Sequence, residues 1–127
     1  MTSVKPEITL VSEDARGEIY AIEIGDRELI LLHSKAGTLR GGHSHDVPES
    51  NMVLTGKLRY TKMFEDGVVI TQLLQDGDVS RNEANQVHRG YFEEDSWMLE
   101  WKICKDKSSW KNTNYKPWRD EVDAHAR

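Results

Sequence analysis

The stretch GTLRGGHSHDVPESNMVLTG (residues 37–56) carries two histidines two positions apart, His43 and His45, and a carboxylate, Glu49, four positions further on. Side chains at i and i+2 of a β-strand share a face, so this spacing points both imidazoles the same way. Pro48 stands between His45 and Glu49, where the chain can bend and bring the carboxylate back to the pair. Two imidazoles and a carboxylate converging from one face suit a divalent first-row metal with coordination positions left open. A fourth candidate ligand is His88, remote in sequence but within reach if a hairpin folds across a barrel. His33 and His125 fall outside the pattern.

Outward from this stretch the chain reads as β-structure. Tyr20, Ile22 and Ile24 alternate, Gly25-Asp26 supplies a two-residue turn, and Leu29-Ile30-Leu31-Leu32 continues as a mostly buried strand. Residues 51–54 form another short strand that turns at Thr55-Gly56, and residues 58–64 lead to Asp66-Gly67, a strong hairpin signal before Val68-Val69-Ile70. Gln75-Asp76-Gly77-Asp78 marks a further turn, and residues 97–101 (WMLEW) read as the last strand. Turn signals every ~8–12 residues indicate a sandwich or small barrel. Residues 1–16 are expected to be an arm or edge strand, 17–104 the barrel, and 105–127 a polar linker with a short helix opened by Pro117 over 119–126.

Composition narrows the function classes. The chain has 127 residues, with 22 acidic against 17 basic side chains and a formal net charge of −5. A pI near 5.5 argues against a general binder of nucleic acid or of anionic membrane, since both call for a basic surface. Mean hydropathy is −0.69, and no window approaches the ~18–20 apolar residues that span a bilayer. The segment MTSVKPEITLVSEDARGE has no apolar core of a secretory signal, and the lone Cys104 excludes an internal disulfide framework, so a reduced, cytoplasmic protein is expected.

The spacing of the histidine stretch resembles the first motif of the cupin superfamily: Gly, five residues, His-x-His, three or four residues, Glu, six residues, Gly. Gly37, His43, His45, Glu49 and Gly56 match it at every position. The second motif is Gly, five residues, Pro-x-Gly, two residues, His, three residues, Asn. Gly77 and His88 keep its separation, while Glu83, Asn85 and Phe92 replace its Pro, second Gly and Asn. Asn tolerates the positive φ that a glycine supplies, so Asn85 is the mildest of these changes. The likeness covers residues 17–102. It implies an all-β antiparallel jelly-roll barrel of six to eight strands, one divalent metal per chain (Fe, Mn, Ni or Zn) on His43, His45, Glu49 and His88, and a homodimer.

Strand parity then assigns the lining. If Glu49 faces the lumen, so do Asn51 and Val53, while Met52 and Leu54 face outward, where they and the tryptophans offer apolar area to a second subunit. Tyr60 on the next strand is a candidate general acid, and Arg59 or Lys62 a candidate carboxylate anchor. Glu100 shares a face with Met98 and is a candidate carboxylate behind the ligands; Ser44 and Asp46 are candidates to orient them. Arg89-Gly90-Tyr91 could frame the mouth, and Met63 and Phe64 are assigned to the core. The Arg-Gly-x-His start at Arg40 is similar to nucleotide-sugar epimerase and ketoisomerase cupins, in which the arginine contacts phosphates; the competing reading makes Arg40 a solvated side chain opposite His43.

The candidate catalytic residues are therefore Glu49, Tyr60 and Arg40. The expected function is a metal-assisted isomerase or epimerase of a carbohydrate-like small molecule. Two alternatives stand beside it: an Fe(II) dioxygenase of a small acid, diketone or thiol, and a cupin that binds a small ligand without catalysis.

Overall fold

The computed structural model describes residues 5–64 and 66–102 and, for the backbone, 112–114. The strands are β1 (Glu7–Asp14), β2 (Gly17–Ile24), β3 (Arg27–Ser34), β4 (Leu39–His45), β5 (Glu49–Thr55), β6 (Lys57–Met63), β7 (Val69–Gln75), β8 (Val79–Asn82), β9 (His88–Phe92), β10 (Ser96–Lys102) and β11 (Asn112–Asn114). They form a six-stranded sheet in the order β1-β2-β3-β10-β5-β8 and a five-stranded sheet in the order β11-β4-β9-β6-β7. Neighbouring strands pair antiparallel throughout, and consecutive strands β3 to β10 are dealt between the two sheets, which is the jelly-roll arrangement.

The turns follow the residues that mark them in the sequence. Gly25 takes φ 61 in the two-residue β2–β3 connection. Gly77 takes φ 84 before β8, and the Asp76 carboxylate beside it accepts the Gly56 N–H at 2.7 Å, which ties two turns together. Between the sheets lies a core of Leu32, Val53, Leu58, Tyr60, Leu74, Phe92 and Met98. Glu49, Asn51 and Val53 are buried to within 1% of completely while Leu54 is 41% exposed, so the parity expected for β5 holds.

Four expectations differ from the structure. There are eleven strands among the described residues rather than six to eight. The strand at 97–101 is followed by β11, inside the stretch expected to be linker, where Asn112–Asn114 pairs with His43–His45 of β4. An edge strand is held by main-chain hydrogen bonds and needs no apolar side chains, so a polar sequence gives no sign of it. Phe64, placed in the core from sequence, is 42% exposed because it follows the last paired residue of β6, and with Met63 it lines a surface groove of about 800 Å³. Arg89 and Tyr91 do not frame a mouth: Arg89 is buried and donates to the Gly41 carbonyl at 2.7 Å, and Tyr91 lies under the Arg59 guanidinium. Cys104, His125 and the expected helix at 119–126 lie outside the described residues. No helix of the described residues is long and apolar enough to cross a membrane.

Candidate metal centre

Two neighbouring strands of the five-stranded sheet bring the remote histidine to the pair. β4 and β9 run antiparallel with His43 opposite His88, and their rings meet edge-to-face at 4.9 Å between centroids. His45 lies one alternation further along β4, 4.7 Å from His43 and 5.4 Å from His88 between centroids. One nitrogen from each of the three rings falls within 4.8 Å of the others, a separation that one ion can bridge. Glu49, the first residue of β5, enters from the opposite sheet: Oε2 lies 3.1 Å from His45 Nε2 and Oε1 3.5 Å from His88 Nε2.

A bulge in β4 sets this geometry. Its register with β9 shifts between Gly41 and His43, and Gly41 and Gly42 take φ 97 and 83, a left-handed pair that side chains with a Cβ avoid. A Cβ on Gly41 would stand 2.8 Å from the His88 carbonyl oxygen, so glycine lets β4 close on β9 beside the candidate ligands. The extra residue also turns Arg40 to the side that His43 and His45 occupy. Arg40 is therefore 7% exposed and lines the cavity, which corrects the solvated reading, and it donates through Nε to Ser34 Oγ at 2.7 Å and through Nη2 to the His33 carbonyl at 3.0 Å.

His43, His88 and Glu49 have the protonation that a metal requires. Burial, reinforced by the neighbouring imidazoles, pulls His43 down to about 3. Burial pulls His88 down to about 4 against the opposing pull of Glu49. Both rings are neutral at pH 7 and keep a lone pair. His88 Nδ1 lies 3.1 Å from the Gln86 carbonyl, an acceptor that holds the ring proton on that side and leaves Nε2 bare toward Glu49. Burial works to raise the Glu49 carboxyl, but the His45 hydrogen bond and the charge on Lys102 outweigh it and hold Glu49 well below the usual carboxylate range. A bare imidazole nitrogen facing a carboxylate oxygen at 3.5 Å is an arrangement of two acceptors, which a cation between them satisfies. The residues present fit a divalent transition metal.

The three imidazoles open into a cavity of about 370 Å³ between the two sheets. Its apolar wall includes Ile19, Ile30 and Leu32 from β2 and β3, and its polar wall includes Arg40, Tyr60, Glu100 and Lys102. Searches for similar folds match this arrangement to CapF, a capsular polysaccharide assembling protein of Staphylococcus aureus, at TM-score 0.67 and 20% identity over 88% of this chain and 33% of that one. They match it to oxalate decarboxylase of Bacillus subtilis at TM-score 0.67 and 18% identity over 94% and 34%. A vicilin of Corylus avellana follows at TM-score 0.62 and 14% identity over 86% and 34%. The chain has the cupin fold. It spans about a third of the length of the solved chains it matches. No family model and no curated protein matches it in sequence. A polysaccharide assembling protein and an oxalate decarboxylase share the fold at this distance, so the chemistry of this chain rests on its own lining.

Tyr60 faces the cavity as one parity of β6 requires, with its ring 5.9 Å from that of His88, and its hydroxyl receives Asn82 Nδ2 at 2.7 Å and Asn51 Nδ2 at 3.2 Å. Burial and the charges of Glu49 and Glu100 push it well above its ordinary range, so it keeps its proton. Lys62 is buried on the same strand but spends its ammonium on the Arg81 carbonyl at 2.7 Å, while Arg59 points outward to Glu93 at 2.8 Å. Ser44 is buried and Asp46 exposed, and neither lines the cavity. Asn85 has φ 64, the left-handed conformation that its place in the second motif demands, and its N–H donates to the His45 carbonyl at 2.6 Å.

Sequence reasoning missed Asn82 and Lys102. Asn82 ends β8 opposite Glu49 and donates to its Oε1 at 3.2 Å, and Lys102 pairs with Oε2 at 2.8 Å. The signal for Lys102 was present, since it continues the alternation of Met98 and Glu100 into the lumen; Asn82 sits in a short strand among turn residues, where parity has no anchor.

Proposed function

We propose that this cupin holds one divalent transition metal per chain on His43, His45, His88 and Glu49 and acts as an enzyme, isomerising or epimerising a carbohydrate-like small molecule by proton transfer. The observation that carries the reading is a carboxylic acid on the wall of the same cavity: Glu100, on β10, lines it together with the three imidazoles. Burial, with the charge of Glu49, raises the Glu100 carboxyl to about 8, so it exchanges its proton near neutral pH, as a group that takes and returns a substrate proton must. Bound at the imidazoles, a divalent ion would supply Lewis acidity toward a carbonyl or enediolate oxygen. Arg40 keeps further N–H groups for an oxygen-rich substrate, and Tyr60 retains a phenolic proton beside His88.

The test is metal content by elemental analysis of untagged protein, followed by exchange of carbon-bound hydrogen for solvent deuterium in a panel of aldoses, ketoses and hydroxy acids. About one manganese, zinc or nickel per chain with substrate-dependent exchange is expected. Replacing Glu100 by Gln should lower exchange by roughly 10²–10⁴-fold while the metal stays bound. Exchange unchanged in that variant removes Glu100 from the mechanism. Bound iron with oxygen uptake instead of exchange would favour the dioxygenase, and metal without turnover the non-catalytic binder.

We infer that the protein is a homodimer through the outer face of its six-stranded sheet. Leu31, Leu99 and Met52 stand in one row across β3, β10 and β5, beside Trp97, which stacks on His33 at 4.5 Å between centroids. Six strands at ~4.8 Å spacing and ~25 Å length present roughly 700 Å², close to the ~800 Å² per partner of a stable interface.

A further inference from the structure

Glu49 is already engaged by a cation from this chain. Lys102 closes β10 in register with Glu49 of β5, and its Nζ lies 2.8 Å from Oε2, with the two side chains 10% and 1% exposed. The same oxygen is the one that His45 Nε2 approaches to 3.1 Å. The other oxygen, Oε1, faces Asn82 and His88. Lys102 therefore supplies a positive charge to a buried carboxylate, a charge that is costly to bury alone.

An ion held jointly by His45 and Glu49 would contact the oxygen that the ammonium now holds. Two like charges on one oxygen inside a low-dielectric cavity repel strongly. The four-carbon stem of lysine lets the ammonium swing without moving the strand, and Lys102 lines the same cavity as Arg40 and Glu100, which gives it somewhere to go.

We propose that Lys102 is a tethered counter-ion that occupies Glu49 in the metal-free protein and is displaced into the cavity when metal binds, so that it sets the affinity and selectivity of the centre. The proposal rests on the metal reading above and makes a separate claim: removing the ammonium should strengthen metal binding. A lysine that merely positions Glu49 as a ligand would give the opposite sign.

The experiment is calorimetric titration of metal-free protein with Zn²⁺, and with Co²⁺ followed by its visible absorption, for wild type, Lys102→Met and Lys102→Arg. The methionine variant should bind either ion at least ~10-fold more tightly, equivalent to about 1.4 kcal/mol. Its metal-free form should melt below wild type, and added Zn²⁺ should raise its melting temperature by more than it raises wild type's. The arginine variant, which keeps the charge, should stay within a few-fold of wild-type affinity. Unchanged or weaker binding by Lys102→Met overturns the counter-ion role while leaving the metal reading intact. Absence of binding by wild type and all variants sinks the metal reading and this proposal with it, whereas binding gained only in Lys102→Met supports the displacement directly.

Discussion

The side-chain amide of Asn82 donates to the hydroxyl of Tyr60 at 2.7 Å, across the interior from β8 to β6. The same nitrogen reaches Glu49 Oε1 at 3.2 Å, and Asn51 adds a second donor to the phenol at 3.2 Å. This network links a candidate ligand to a candidate catalytic group and leaves the phenol acting as an acceptor with its own proton retained. Such networks rigidify a core when satisfied and weaken it when one member is removed.

Tyr60→Phe should therefore act on stability. It removes an acceptor shared by two buried amides, leaving Asn82 Nδ2 with Glu49 Oε1 and taking from Asn51 Nδ2 its bond to the phenol, and urea unfolding should show a loss of roughly 1–3 kcal/mol. Metal affinity should change little, because the phenol is not among the candidate ligands. A variant as stable as wild type would mean that the two asparagines find other partners.

Gly41→Ala tests the bulge. The residue combines φ 97 with a Cβ position 2.8 Å from the His88 carbonyl, so alanine must push β4 and β9 apart where they carry His43 and His88. The expected outcome is a stability loss of about 1–3 kcal/mol by the backbone strain involved, together with weaker metal binding in the same titration. A Gly41→Ala protein that binds metal as wild type does would show that the bulge is not needed to form the centre.

The metal-free protein should show a stability maximum in pH. His43 and His88 are depressed to about 3 and about 4, so the stability they contribute is complete above their ordinary value of 6.5 and is lost as pH falls through their folded values. Glu100 is raised to about 8, so its contribution is complete below the ordinary carboxylate value of 4.5 and is lost as pH rises through about 8. His43 and His88, joined at lower pH by Glu49, act on the acid side, and Glu100, joined at higher pH by Tyr60, acts on the alkaline side, so thermal unfolding should peak at about pH 6–7. Stability still rising steadily from pH 7 to 9 would contradict the raised Glu100 carboxyl.

Leu99→Arg places a charge in the centre of the apolar outer row. Sedimentation should show a dimer for wild type and a monomer for the variant, with metal content unchanged because Leu99 faces away from the lumen. A monomeric wild type would overturn the dimer.

Much of the fold is local chemistry and was legible as such. The two-residue turn at Gly25-Asp26, the turn at Gly77 and the alternation of Glu49, Asn51 and Val53 depend on neighbours within a few residues. The spacing of His43, His45 and Glu49 belongs to the same class, so the candidate stretch stands out before any strand is paired. β11 could not, because an edge pairing with β4 through main-chain hydrogen bonds leaves no periodic apolar pattern in the sequence.

The sequence by itself determined an all-β chain with two histidines on one strand face, because a period of two and a turn residue act over a few bonds. Only the tertiary structure decided that Arg40 lines the cavity, since a bulge at Gly41-Gly42 reverses the parity that counting assigns. It alone decided that Lys102 and Asn82 meet Glu49, because those meetings depend on the register of β10 and β8 against β5, fixed by the packing of whole sheets across residues far apart in the chain.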